Sequence, residues 1–327
     1  MGVTEQLTDR IWRIPVPLPG NPLKELNAYL ILGGDRALLI DTGFRQEACR
    51  EALWAGLAEH GLKPGEVEVL LTHLHSDHSG LAPETAGEQT IYISGTDRPS
   101  LSDMEHRRAN WDDSNQHYDA EGFPPELLAG MEQSNPARSL ASISGGHYAD
   151  LEDGQILEAG GCKLICLSMP GHTPGQMCFL EEREGILFTG DHVLFDITPN
   201  ITAWGGMEDA LGTYLESLER IRMVEHRLAL PGHRKSGELK KRVDELLDHH
   251  RRRLEEALRV VGDHPGAGAY ELAGYMTWRI RANSWEDFPV AQKWFAVGEC
   301  MSHLDYLALR GLIRRETDGQ RYHYFKN

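Results

Sequence analysis

The segment Thr72-His73-Leu74-His75-Ser76-Asp77-His78-Ser79-Gly80 places three imidazoles and a carboxylate on one short stretch of chain. With this composition, H-x-H-x-D-H arises by chance in roughly 0.2% of such sequences, so coincidence explains it poorly. Imidazole nitrogens and carboxylate oxygens are borderline ligands for divalent ions, and this many on one loop could face two ions at once. Two ions with open positions need more ligands. The sequence offers them in Pro170-Gly171-His172-Thr173-Pro174-Gly175, Thr189-Gly190-Asp191-His192 and Pro231-Gly232-His233, each with a glycine that lets the backbone turn tightly. Two such ions bring the pKa of a bridging water towards neutrality, and the resulting hydroxide attacks a carbonyl or phosphoryl centre polarised by one ion. That chemistry is hydrolysis without a serine or cysteine nucleophile. Asp77 could also hold a proton, beside its role as a ligand.

Ligands held this way require rigid strands that end at the site. Val67 to Leu71 reads as a buried strand running into the first motif, and strands 163–167, 185–188 and 227–230 precede the other three. Upstream, 11–18, 27–33 and 37–41 read as short antiparallel strands, followed by a helix at 46–60. Further strands are read at 90–94, 155–157 and 177–180, with a helix over 207–224. Two mixed sheets, each backed by helices, fit this order. From 98 to 146 the pattern fails, which predicts an insertion of helices and loops able to form a lid or a substrate wall. The last ninety residues predict helices at 239–261, 269–275 and 291–310, then a hairpin turning at Asp318-Gly319.

These motifs, together with Asp41-Thr42-Gly43, resemble the metallo-β-lactamase superfamily over about Thr8 to Ser236. The resemblance implies an α+β fold, an αββα sandwich. It assigns His73, His75 and His172 to one zinc and Asp77, His78 and His233 to another, with Asp191 and a hydroxide bridging them. Asp77 and Asp191 are thereby the catalytic carboxylates, and Asp41 stands behind the ligands and orients one. The tail, residues 237–327 after a catalytic domain of residues 1–236, resembles a winged helix, and the combination is similar to the lactamase-β-2-like branch. The 98–146 insertion departs from that branch, so its nuclease members do not transfer a substrate. Zinc is the default metal, with iron or manganese as alternatives. True β-lactamases carry Cys or Ser at the position of Asp191, and diiron redox relatives replace a histidine of the first motif, so both activities are disfavoured.

Charge narrows the substrate. The chain has 33 basic and 50 acidic residues, a net charge of −17. From Gly237 onward the count is 15 basic to 14 acidic, which leaves 18 against 36 before it. An acidic catalytic domain repels polyanions, which favours a small ester, thioester or lactone over the alternative, a metal-dependent endoribonuclease or phosphodiesterase. Trp111, Phe123, Phe195 or Trp204 could supply an apolar wall for such a substrate. His192 is expected to point away from Asp191, and His106, His117 and His147 to be surface or core residues. The helix at 291–310 offers only Lys293, His303 and Arg310 as cations, so the tail is expected to pack, dimerise or close the pocket. The basic run His249 to Arg253 reads as a solvated helix face. Five cysteines without a C-x-x-C pair predict buried free thiols. Apolar runs are too short to cross a bilayer and the N-terminus lacks a secretion signal, so the expected location is the cytoplasm.

Overall fold

The computed structural model describes residues 3–134, 139–142, 145–279, 282 and 284–327. Seven strands pair in chain order: β1 (Glu5–Gln6), β2 (Ile11–Pro17), β3 (Glu25–Ile31), β4 (Ala37–Ile40), β5 (Val67–Leu70), β6 (Thr90–Ser94) and β7 (His147–Leu151). The first four are antiparallel and the last four parallel. A second sheet orders β12 (Leu228–Pro231), β11 (Ile186–Gly190), β10 (Met177–Glu181), β9 (Cys162–Ser168) and β8 (Ile156–Ala159), antiparallel except for the β11/β12 pair.

Alternation along the strands builds the layers. In β3, Tyr29 and Ile31 face the second sheet and meet Met177, Phe179 and Phe188. Leu26, Ala28 and Leu30 face the other way, towards Cys49, Leu53 and Leu57 of helix α1 (Glu47–Glu59). In the second sheet Ile186 and Phe188 join the inner core, whereas Leu187 packs on Leu211, Tyr214 and Leu218 of helix α7 (Ala210–Arg222). A period of two thus buries both faces of these strands, one on the other sheet and one on helices. Helix α7 starts at Ala210 rather than at Met207 because the Asp209 side chain accepts the Gly212 N–H and caps it there.

The short helices α2 (Ser76–Ser79) and α3 (Ala82–Ala86) follow β5, and α4 (Arg98–Ser102), α5 (Met104–Ala120) and α6 (Pro125–Ser134) fill the stretch read as an insertion. Strand β7, absent from the reading of the sequence, closes that stretch; its His147 is exposed and pairs with Glu88. Helices α8 (Leu239–Asp263), α9 (Ala269–Tyr275) and α10 (Val290–Leu309) precede the hairpin β13 (Ile313–Thr317) and β14 (Tyr322–Lys326).

These last elements share cores with what comes before them. Leu239, Val243 and Leu246 of α8 pack beside α7, while Ala257, Val260 and Val261 further along the helix pack with α9 and α10. Tyr118, Phe123 and Leu128 belong to that second cluster. Phe123, expected as a pocket wall, is fully buried there. The basic run also divides. Arg251 and Arg252 are exposed and pair with Asp248 and Glu255, whereas His250 and Arg253 turn inward, because residues 250, 253 and 257 share one helical stripe. All five cysteines are buried free thiols. Among the described residues no helix is long and apolar enough to cross a membrane.

Candidate metal centre

Five predicted site residues lie just beyond the C-terminal end of a strand, Asp41 after β4, His73 after β5, His172 after β9, Asp191 after β11 and His233 after β12, while His75 caps the short helix α2 that carries Asp77 and His78. Strands β4 and β5 run parallel, and β9 and β11 are both antiparallel to β10, so the side chains of each sheet leave the same edge. Bonds from strands of one sheet to the strand ends and loops of the other pin the two edges together. Met177 N–H donates to Thr72 O at 2.8 Å, Asn27 N–H to Gly232 O at 2.7 Å, and the Tyr29 hydroxyl to Pro231 O at 2.7 Å.

The structure brings all seven predicted ligands together. His73 Nε2 lies 3.0 Å from His75 Nδ1, which lies 3.1 Å from His172 Nε2. Across the site His78 Nε2 and His233 Nε2 are 3.2 Å apart, and His233 Nε2 is 3.4 Å from Asp77 Oδ2. Asp191 stands between the groups, with Oδ1 at 3.5 Å from His78 Nε2, and Oδ2 at 3.5 Å from His233 Nε2 and 3.8 Å from His172 Nε2. Donor atoms on a tetrahedral zinc lie about 3.3 Å apart, given Zn–N bonds of about 2.05 Å. The set therefore fits divalent ions, as does Asp191 Oδ1, which is buried without a hydrogen-bond partner. Gly232 leaves room for that carboxylate, since a Cβ there would lie 2.8 Å from the His78 ring and collide with Asp191.

Protonation states favour the same reading. Burial and neighbouring imidazoles hold His73 well below the ordinary histidine value and bring His75 down to about 3, and burial also lowers His172. Burial opposes charge on His78 and His233, but Asp41, followed by Asp191 and Asp77, raises His78, and Asp191 with Asp77 raises His233. Burial would raise Asp77 and Asp191; His78 and His233 overcome it, holding Asp77 at about 2 and Asp191 below the usual carboxylate range. The carboxylates are ionised and one trio of imidazoles is neutral, the forms that bind cations.

Support from behind is extensive. Asp41, at φ 59°, accepts the Thr72 N–H and hydroxyl and faces His78 Nδ1 at 2.7 Å. His172 Nδ1 donates to Asn200 O at 2.9 Å and His233 Nδ1 to Glu25 O at 2.8 Å. Trp204 stacks against His75 with ring centres 5.9 Å apart, and its indole N–H donates to His172 O.

Sequence reasoning missed Asp97. Fully buried beyond β6, it accepts the Leu74 N–H, the Thr173 hydroxyl and the Gly175 N–H, and so staples the loop of His73 and His75 to that of His172. Burial pushes its carboxyl up to about 6 against the pull of those bonds. Its place after a strand end, shared with the predicted ligands, is the signal that could have found it. His192 packs its ring on Tyr214, and neither it nor His106, His117 or His147 lies in a donor group. Phe195 packs over Gly237 and against the α7 core.

The sandwich and its edge of histidines and carboxylates define a class. Residues 25–233 match the family model of the metallo-beta-lactamase superfamily, and the chain belongs to that superfamily, whose fold implies divalent metal binding. Among relatives it is 30% identical over 259 residues to the lactamase-like protein adaB of Aspergillus niger, covering 78% of this chain and 64% of that protein. The chain thus spans slightly less than two thirds of that relative. It is 29% identical over 314 residues to an atrochrysone carboxyl ACP thioesterase of Aspergillus fumigatus, covering 89% of this chain and 78% of that one. Among solved structures, a metallo-beta-lactamase family protein from Thermus thermophilus superposes with a TM-score of 0.82 at 30% identity, covering 98% of this chain and 100% of that one.

Proposed function

We propose that the protein is a binuclear metal-dependent hydrolase of thioesters, with small carboxylic esters and lactones as its chemical neighbours. The observation that carries this is Asp191, set between one group of donors (His73, His75, His172) and a second (Asp77, His78, His233). Divalent ions held there, zinc by default and iron or manganese as alternatives, supply Lewis acidity and activate water at neutral pH. The protein's own contribution is positional. Asp41 keeps the hydrogen of His78 on Nδ1, leaving Nε2 for the centre. Asn200 and Glu25 do the same for His172 and His233. Asp77 is the most open of the charged ligands and is placed to take up or release a proton. The half-buried Trp204 indole offers an apolar face beside His75. The thioesterase relatives support a sulfur leaving group.

The segment order supports a catalytic domain at 1–236, carrying its insertion at 98–146, and a winged-helix-like unit at 237–327. That unit is read as a packing element. Lys293 and His303 of α10 are buried and Arg310 pairs with Asp209, so this helix presents no free cationic face to a nucleic acid.

The zinc-reconstituted chain is tested on acyl thioesters, aryl esters, homoserine lactones, nitrocefin, bis-p-nitrophenyl phosphate and single-stranded RNA. Turnover is expected first among the carbonyl substrates, with thioesters leading, and is lost with chelator and with His73→Ala. RNA cleavage that falls steeply with salt, beside inert carbonyl substrates, overturns this reading in favour of an endoribonuclease.

A further inference from the structure

The stretch Asn200 to Trp204 touches the candidate centre on one side and the C-terminal helix α10 on the other. Towards the centre, Asn200 O accepts the Nδ1–H of His172 at 2.9 Å and Trp204 Nε1–H donates to His172 O at 3.1 Å. One residue is therefore gripped at both its imidazole and its backbone. Towards α10, the Ser302 hydroxyl donates to Ile201 O at 2.7 Å, the Ala203 N–H to Gly298 O at 3.3 Å, and the Asn200 amide to Phe295 O at 3.4 Å. Tyr118 of α5 completes the clamp, with its hydroxyl donating to Trp294 O at 3.2 Å and lying 3.4 Å from Thr202 Oγ1. Ile201 is fully buried. The contact tolerates no added volume, because a Cβ on Gly298 would collide with the Thr202 and Tyr118 hydroxyls and sit 3.2 Å from Thr202 Cβ.

The supports of the other donor group come from elsewhere. His233 leans on Glu25 O of β3, and His78 on Asp41 at the end of β4. Both lie within the sandwich. Of the two groups, the one containing His172 is tied to the C-terminal helices.

We infer that α10 is a positioning element of the metal centre, acting through Asn200–Trp204 to hold the His172 imidazole in place for the His73/His75/His172 group. The inference rests on the proposed role of His172 as a ligand. A partner that orients a metal-binding histidine typically contributes 10- to 100-fold in affinity, and here the partner's own position is set by a helix some hundred residues further along the chain.

The test uses the full chain with zinc, measuring two stepwise dissociation constants by chelator competition and the absorption bands of the cobalt-substituted protein. Gly298→Ala, which wedges α10 away from Thr202, is expected to weaken one constant by about 10-fold and shift the cobalt bands, with the other constant changed by less than about twofold. Ser302→Ala should move the same constant in the same direction by less. Adding Tyr118→Phe and Thr202→Ala to Gly298→Ala should recover most of the loss. Leu309→Ala, on the exposed side of α10, should change neither constant. If Gly298→Ala does not fold, Ser302→Ala decides. His172→Ala separates the two ideas. Should it retain both zinc ions, the ligand reading fails. Should it lose one while Gly298→Ala and Ser302→Ala keep wild-type constants, or weaken both equally, the positioning role of α10 is overturned and the metal centre stands.

Discussion

Asp41→Asn exchanges one oxygen for an NH2 group at nearly constant shape, and the bonds around it dictate where the loss falls. Oδ1 accepts the Thr72 N–H at 2.9 Å, while Oδ2 accepts the Thr72 hydroxyl at 2.8 Å and the His78 Nδ1–H at 2.7 Å. The asparagine's one carbonyl oxygen stays with the Thr72 N–H, a donor that cannot rotate. Its NH2 then faces the Thr72 hydroxyl, which can turn to accept, and His78 Nδ1, which accepts only by giving up its hydrogen. The neutral ring is left with its hydrogen on Nε2, the nitrogen 3.2 Å from His233 Nε2 and inside the donor group. An ion can bind there only after the hydrogen is forced back against the NH2. That costs about 1.4–2.8 kcal/mol, a 10- to 100-fold loss in affinity. The His73/His75/His172 group should keep its constant. Chelator competition measures both constants, and nitrogen-15 NMR of the metal-free variant, recorded at a pH high enough for the His78 ring to be neutral, reports which of its nitrogens carries the hydrogen. Wild-type affinity at both sites, or Nδ1–H retained in the variant, refutes the tautomer argument.

Two further outcomes are expected. Asp97 titrates near 6 when folded against about 3.9 unfolded, so the folded chain takes its proton first and this part of the stability, complete below pH 4, is lost as pH rises through 6. Denaturant titrations of the metal-free protein should show wild type losing about 2 kcal/mol relative to Asp97→Asn between pH 4 and 7; a constant difference contradicts it. Cutting the chain after Ser236 removes Leu239, Val243 and Leu246 from the α7 core and strips the cover from Tyr118, Phe123 and Leu128. The truncated protein should aggregate or melt well below the full chain, and an unchanged melting temperature would show the tail to be an independent appendage.

The seven proposed ligands were legible because histidines and aspartates cluster beside turns that follow apolar runs of strand length. That pattern is local, written within about ten residues at a time, and period-two burial in β3 and β11 carried the sandwich in the same way. Asp41 was legible by its motif, although its bond to His78 spans 37 positions. Other features had no local signature. Nothing near Phe123 tells that its ring packs with residues of α9 and α10, and nothing near Asn200 tells that its backbone carbonyl holds His172. Carbonyls are common to every residue, so a bond made by one is invisible in residue type. Asp97 does follow a strand end, but it stands without a histidine beside it, one carboxylate among 50 acidic residues, until folding brings the Leu74 N–H, the Thr173 hydroxyl and the Gly175 N–H around it. What could be read along the chain was which side chains are candidates for the chemistry and which strands end near them. The tertiary structure alone decided what holds those side chains still, because those contacts join positions tens to hundreds of residues apart and depend on shape and backbone direction rather than on neighbours in the chain.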